Sequence, residues 1–473
     1  MKRFFVASII GICLATSGPL AAGVATCSTS LQHPEYLAFK ARRIHLYPET
    51  VKITLDFTVT PDSPEAKQTI RWNMDGGPVQ DIPVAKRTFS CDFDVSPLSL
   101  GRHALNMEFL ENGKTKGSYS LFFFKHGTPV VAVRADGTLT HKGKPFFPMG
   151  FYHVSRGLSI ENRLRMIRDI ARYGYNCVHV TIKDEEKNTG TFAEFLNECE
   201  KHGIAVISEF GNDALGDIRR YKDHPAVLGW NPGDEPTVNG ISPENMFRRY
   251  SDFKQEDPDH IVYTVVCVAE QFKNYASGSD ILAPDPYPIP DGHVSDVFDI
   301  YLLAHEEACK YGTTLWGVPQ CFGNYAKWTR VPTGREYRAM VYLALMAGVR
   351  GVINYTYDDG FFSLPSNAEL YEVCKTFPSE LKELIPFILN GRRTVIQRDV
   401  RGVYATVWEM DGKRAYVIVN ASDKELARPL FFSLKGDFKR CRIPIGKLDR
   451  MSATGSELTA VLAPMERVLI FCE

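Results

Sequence analysis

A chain of 473 residues is longer than one ordinary core, and a prior of about 100 to 200 residues per domain predicts two or three domains. Hydrophobic content of 44% with 23% charged residues is that of a soluble globular protein, and a formal net charge of -1 provides no field for nucleic acid or anionic lipid, which excludes a polyanion partner. The 11 cysteines show no CxxC pair or metal-ligand spacing, so neither metal binding by cysteine nor a cofactor is expected.

In chain order, Met1-Lys-Arg opens a basic start followed by an apolar run and small residues near Leu20 to Ala25, the pattern of a secretory signal peptide over residues 1–26. The run is shorter than the ~20 residues that span a bilayer and is broken by Ser17, Gly18 and Pro19, so cleavage is expected rather than anchoring. The expected location is outside the cytoplasm: periplasmic, secreted or on the outer surface. Val24-Ala-Thr-Cys27 weakly resembles a lipoprotein signal, with Thr26 where such signals carry Gly or Ala, so a lipid anchor on Cys27 is the minor alternative. No later segment reads as a membrane span. Cys177 and Cys267 fall in apolar strand-like runs, as buried free thiols do, whereas Cys441 and Cys472 share the last domain and could pair in an oxidising compartment.

Over residues 31–130, short alternating runs such as Ile53-Thr-Leu-Asp-Phe57 predict an immunoglobulin-like β-sandwich. Over residues 131–392 the pattern becomes strand then helix, repeated. Candidate strands are Phe146 to Tyr152, Cys177 to Thr181, Ala205 to Glu209, Val227 to Trp230, Ile261 to Val266, Ile281 to Ala283, Leu315 to Val318 and Val352 to Tyr355. Between them, runs such as Ser159 to Gly174 carry apolar residues at three-and-four spacing and end at glycine. Eight such units over about 250 residues are the arithmetic of a (β/α)8 TIM barrel. An open doubly wound sheet would carry a Gly-rich turn after its first strand, and Tyr152-His153-Val-Ser does not. Residues 393–473 return to strands and predict a small C-terminal β-sandwich domain, opening with a hairpin turned at Asp411-Gly412. The expected architecture is therefore multidomain, a central TIM barrel flanked by two β-domains.

In such a barrel the strand C-termini face one shared pocket. The fourth strand runs Gly229-Trp230-Asn-Pro-Gly-Asp234-Glu235-Pro236, from an apolar strand into two adjacent carboxylates. This resembles the large clan of (β/α)8-barrel glycosidases that cleave with retention, in which strand four ends in Asn-Glu-Pro or a close variant. The resemblance implies that Glu235 is the acid/base residue and that Asp234 replaces the Asn. Two acids beside aromatic surface themselves suggest bond-cleaving acid/base work, and the alternative reading is a solvated surface pair. A proton donor needs a raised pKa, which Trp230 and an anionic Asp234 are expected to provide.

The second carboxylate is the difficulty. At strand seven, Trp316-Gly-Val-Pro-Gln320 places an amide where the clan's nucleophile would align, and Gln320 can only hydrogen-bond a sugar hydroxyl or N-acetyl group. Three alternatives stay open: a substrate acetamido nucleophile oriented by Asp234, as in exo-acting hexosaminidases; Asp285 at the end of strand six; or Glu209, Asp358 or Asp359. Tyr152, His153, His179, Asn212, Trp230, Asp285, Tyr287, Trp316, Gln320, Tyr355 and Asp358 are expected to contact substrate, with Tyr357 nearby. For any one of these rings a core role is as probable. Arg335, Glu336 and Arg338 read as a solvated helix face. The expectation is an exported hydrolase of oligo- or polysaccharides, and the rival is a carbohydrate-binding protein on a barrel that has lost catalysis.

Overall fold

The computed structural model describes residues 36–63, 65–153, 159–182, 192–399, 402–422, 430–435, 438, 440–446, 451–453 and 457–473, so the leader and Cys27 lie outside the described residues. Eight parallel strands form the centre: β1 (Met149–His153), β2 (Cys177–Thr181), β3 (Ala205–Glu209), β4 (Val227–Trp230), β5 (Ile261–Val266), β6 (Ile281–Pro284), β7 (Thr314–Leu315) and β8 (Val352–Asp358). β8 pairs with β1, and parallel bridges Gly317–Val352 and Gln320–Tyr355 join the β7 segment to β8, so the sheet closes on itself. Alternation sends every second residue inward. Tyr152, Ile207, Leu228, Tyr263, Trp316 and Val318 thus fill the interior, which Val131 and Leu139 of a short three-stranded sheet join from outside the barrel.

Helices cover the outside, and local chemistry sets their ends. In α1 (Ile160–Arg172) the Ser159 side chain accepts from the Asn162 amide, and Gly174 at φ 93° turns the chain into β2. Helix α2 spans Phe192–Lys201, α3 Ala214–Tyr221, α4 Pro243–Glu256 and α5 Asp296–Tyr311. In α6 (Gly334–Ala347) Thr333 and Glu336 form a capping box, Glu336 also pairs with Arg330 at 2.7 Å, and Arg338 donates to Glu380. Two residues expected on a solvated face are therefore paired. Every residue from Ala339 to Ala347 is buried, because Tyr404, Trp408 and Val417 of the C-terminal sheet join the same core.

Before the barrel, a three-stranded and a five-stranded sheet share a core of Leu37, Ile53, Phe57, Phe93, Met107 and Phe123. After it, a five-stranded and a three-stranded sheet enclose Val403, Ile418, Leu458 and Ile470. The expected hairpin is present, with Asp411 at φ 50° and Gly412 at φ 77°. Cys441 and Cys472 are joined by a disulfide, as expected from their shared domain. Among the described residues no helix is long and apolar enough to cross a membrane.

The first sandwich is locked to the barrel through Asp280, at the start of β6. Its carboxylate is 3.6 Å from Arg43 of the sandwich and 3.3 Å from Lys254 of α4, and it accepts hydrogen bonds from Tyr250 and the Val262 amide at 3.0 Å each. Burial opposes its charge, but the two cations outweigh burial and hold this carboxyl below its ordinary range. Asp280→Asn leaves two cations without their shared anion and is expected to cost about 3 to 5 kcal/mol in denaturant unfolding. The difference from wild type should shrink as pH falls through the depressed carboxyl's titration, and a loss unchanged by pH would show that the charge is not what matters.

Candidate active site

The segment after β4 is built by short-range bonds. The Asn231 side chain accepts from the Gly233 amide at 3.0 Å and donates to His179 Nε2 at 3.1 Å. Arg249 of α4 donates to the Pro232 carbonyl at 2.7 Å. The Glu235 carbonyl accepts from the amides of Val238 and Asn239, both at 3.0 Å, and the Asn239 side chain donates to the Asp234 carbonyl at 2.7 Å. Together these bonds hold Glu235 at φ 38°, a left-handed conformation that Pro236 further disfavours and that costs of order 1–3 kcal/mol. The strain sets the side chain, 5% exposed, into the wall of a cavity at the C-terminal end of the barrel.

Inward alternation along β5 and β6 carries Tyr263, Val265, Cys267 and then Ala283, Asp285 to the same place. One carboxylate oxygen each of Glu235 and Asp285, and Cys267 Sγ, all lie within 4.8 Å of one another. Asp285, 6% exposed, hydrogen-bonds Glu235 and Tyr287. Burial, then repulsion by Glu235, the hydrogen bond to Glu235 and the charge of Asp234 push the Asp285 carboxyl well above its usual range. Asp234 is pushed the same way by burial and by the charges of Glu209 and Glu235.

The rest of the cavity is aromatic: Tyr152, Tyr287, Phe322, Tyr325, Trp328 and Tyr355, with Val265 and Val318. Phe322 packs edge-on against Tyr287 and Trp328, with ring centroids 4.9 Å away in each case. Asp359 organises this wall, accepting from Tyr325 at 3.0 Å and Tyr355 at 3.2 Å with one oxygen and from the Phe361 and Phe362 amides with the other.

Of the expected residues, Asp234, Glu235, Tyr152, Asp285, Tyr287 and Tyr355 meet here. Trp230 does not. A register shift against β3 between Val206 and Ile207 breaks the alternation of β4 after Leu228. Trp230 consequently leaves the barrel interior, stacks on Phe210 in the helix layer and donates to Asp257 at 2.6 Å. Trp316 is fully buried among the residues filling the barrel and is absent from the cavity wall. Gln320, 0% exposed, accepts from the Ile289 amide at 2.9 Å and donates to the Ile289 and Phe322 carbonyls, so its amide serves backbone and leaves nothing for a sugar. His179 is buried beneath Tyr152, their rings 4.0 Å apart, and burial pulls its pKa to about 3, so it is neutral. Asn212 is an exposed loop residue, Asp358 accepts from the Gly360 amide at the loop after β8, and neither lines the cavity. Tyr357 packs outward against Phe151 and Tyr371. The His153 backbone ends β1, and its side chain lies outside the described ones. Sequence reasoning missed Phe322, Tyr325, Trp328, Cys267 and the organising role of Asp359; the signal for the rings was their density between Phe322 and Trp328.

The raised carboxyls carry a stability consequence. The unfolded chain ionises Asp285 in the ordinary range while the folded chain holds its proton to higher pH, so this group destabilises the fold progressively as pH rises above about 4. Asp285→Asn is expected to raise the thermal midpoint by a few degrees at pH 7, with the gain closing toward pH 4; a midpoint lowered equally at both pH values would refute the account.

No protein-family model matches the chain, and no curated protein matches it. Among solved structures it is similar to a glycoside hydrolase at 13% identity and a TM-score of 0.51, over 72% of this chain and 96% of that one. A family 39 glycoside hydrolase from the gut symbiont Bacteroides cellulosilyticus WH2 follows at 12% identity and a TM-score of 0.46, over 92% and 100% of the two chains. A beta-glucuronidase from an uncultured Clostridium aligns at 13% identity and a TM-score of 0.37, over 68% of this chain and 61% of that one. At these identities the likeness is one of fold alone.

Proposed function

We propose that the chain is an exported glycoside hydrolase in which Glu235 and Asp285 are the working pair. The observation that carries this reading is the facing of two buried carboxyl groups, within 4.8 Å, on an aromatic-walled cavity at the C-terminal end of the barrel. Sugars present C–H faces to aromatic rings and hydroxyls to polar groups, which suits Tyr287, Tyr355 and Trp328 around the acids. The export clause rests on the leader-like first residues.

The spacing belongs to the short class, used for attack by a carboxylate, rather than to the ~6.5–9.5 Å that admits a water between acid and base. Glu235 then protonates the leaving oxygen while Asp285 attacks the anomeric carbon, forming a glycosyl ester. Glu235 next takes a proton from water, whose oxygen displaces Asp285, and the sugar leaves with its configuration retained. The active form of the pair holds one proton. Attack requires that proton to be off Asp285, and burial together with the charge of Asp234 raises the pH at which this carboxyl ionises. Gln320 needs no chemical role, and the absence of a carboxylate there is no obstacle, because Asp285 occupies the adjacent strand end. The carbohydrate-binding rival predicts that glycan release is absent while binding persists.

Glu235→Gln is expected to lower kcat by about 10²- to 10⁴-fold on unactivated glycosides with the fold intact by circular dichroism. A 2-fluoro glycoside should esterify Asp285, detected by peptide mass spectrometry; labelling elsewhere reassigns the nucleophile. Asp234→Asn removes a charge that raises Asp285, so the acidic limb of kcat/KM, set by ionisation of the attacking carboxyl, is expected at lower pH than in wild type. An unmoved or upward-moved limb contradicts this role for Asp234.

A further inference from the structure

Cys267 stands at the end of β5 beside the two working carboxyl groups, and the proposed hydrolysis does not use it. Its sulfur and one oxygen each from Glu235 and Asp285 already lie within 4.8 Å of one another. Tetrahedral zinc, with Zn–S of about 2.3 Å and Zn–O of about 2.0–2.2 Å, sets ligand atoms about 3.3–3.8 Å apart, a closing that side-chain torsions of Cys and Glu cover. A second observation points to a missing partner. Asp285 is only 6% exposed, yet its Oδ1 has no hydrogen-bond partner among the described residues, and the same holds for Asp234 Oδ1 in the same wall. A buried acceptor left unpaired is costly, and a cation satisfies it.

We propose that Glu235, Cys267 and Asp285 form a site for a thiophilic divalent cation of the Zn²⁺ class, which occupies the proton donor and its partner carboxyl and turns hydrolysis off. Sulfur in the set selects Zn²⁺ over Mg²⁺ or Ca²⁺, which prefer all-oxygen ligands. On binding, the Cys267 thiol proton and any proton held by the Asp285 carboxyl pass to solvent as the metal–sulfur and metal–oxygen bonds form. The fourth position faces the cavity and takes water. Metal binding stands on the geometry alone, whereas the inhibitory consequence rests on the hydrolase reading.

The test is titration of the full chain with Co²⁺, whose bond to thiolate gives a near-ultraviolet charge-transfer band. One equivalent is expected to bind with this band, and Zn²⁺ to displace it. Cys267→Ser should abolish the band, and Asp285→Asn should keep it while weakening binding at least tenfold. Cys309, exposed with its sulfur 3.7 Å from His305 Nε2, is the competing thiol, and Cys309→Ser should change nothing. No band, or a band that survives Cys267→Ser and is lost in Cys309→Ser, overturns the site. Zn²⁺ should also suppress glycoside hydrolysis, with recovery on adding chelator; a Cys267-dependent band in a chain that cleaves no glycan leaves the metal site standing and removes the hydrolase reading, whereas hydrolysis indifferent to bound Zn²⁺ removes the inhibitory role.

Discussion

Closure of the parallel sheet is the constraint on which the rest depends. Once β7 and β8 are bridged and every second residue must face inward, inward positions at the ends of β1, β5, β6, β7 and β8 arrive at one small cavity. Asp285 reaches it because Ile281 and Ala283 face inward before it, and Cys267 because Tyr263 and Val265 do. Glu235 reaches it differently. The β4 alternation is broken, so a pinned, strained turn has to supply the orientation that strand geometry supplies elsewhere.

That difference explains the bonds around residues 231–239. A conformation costing of order 1–3 kcal/mol persists only where its surroundings over-determine it. Asn231, Arg249 and Asn239 contribute side-chain hydrogen bonds to this turn, and two amides close on the Glu235 carbonyl. Arg249 belongs to α4, which also carries Lys254 to the Asp280 ion cluster and Phe247 to the core of the first sandwich. One helix therefore ties the Glu235 turn to the joint between domains, and the sandwich bears on the site through it.

The barrel was legible in the sequence because each strand is a short apolar run between helical repeats; β2, β3, β4 and β5 begin and end where the pattern puts them. At the site, legibility tracked parity. Asp285, Tyr287, Tyr152 and Tyr355 are found where strand ends predict, and Glu235 was marked by its motif. Trp230 was misplaced because a register shift is a pairing event between two strands and leaves no mark in either alone. Trp316 and His179 are inward but too deep, and depth along a barrel axis depends on strand stagger that one chain's pattern does not encode. The wall built by Phe322, Tyr325 and Trp328 comes from a loop, where no periodicity assigns direction.

Gln320 is the most instructive position, because its alignment with a nucleophile and its actual work are both products of strand parity. It stands two residues beyond inward Val318, so parity aims it at the cavity, and there the amide instead pairs with both backbone groups of Ile289. Ile289 lies four residues after Asp285, on the loop that leaves β6. A glutamate at 320 could accept from the Ile289 amide but would have no donor for its carbonyl, and would add a further buried anion beside Asp285. The amide therefore fixes the loop after β6 while keeping strand seven neutral, and the second carboxylate stands on strand six instead. Neutrality at one strand end and charge at the next are two sides of one electrostatic arrangement: a cavity that already presses Asp234 and Asp285 toward their protonated forms has no room for another carboxylate.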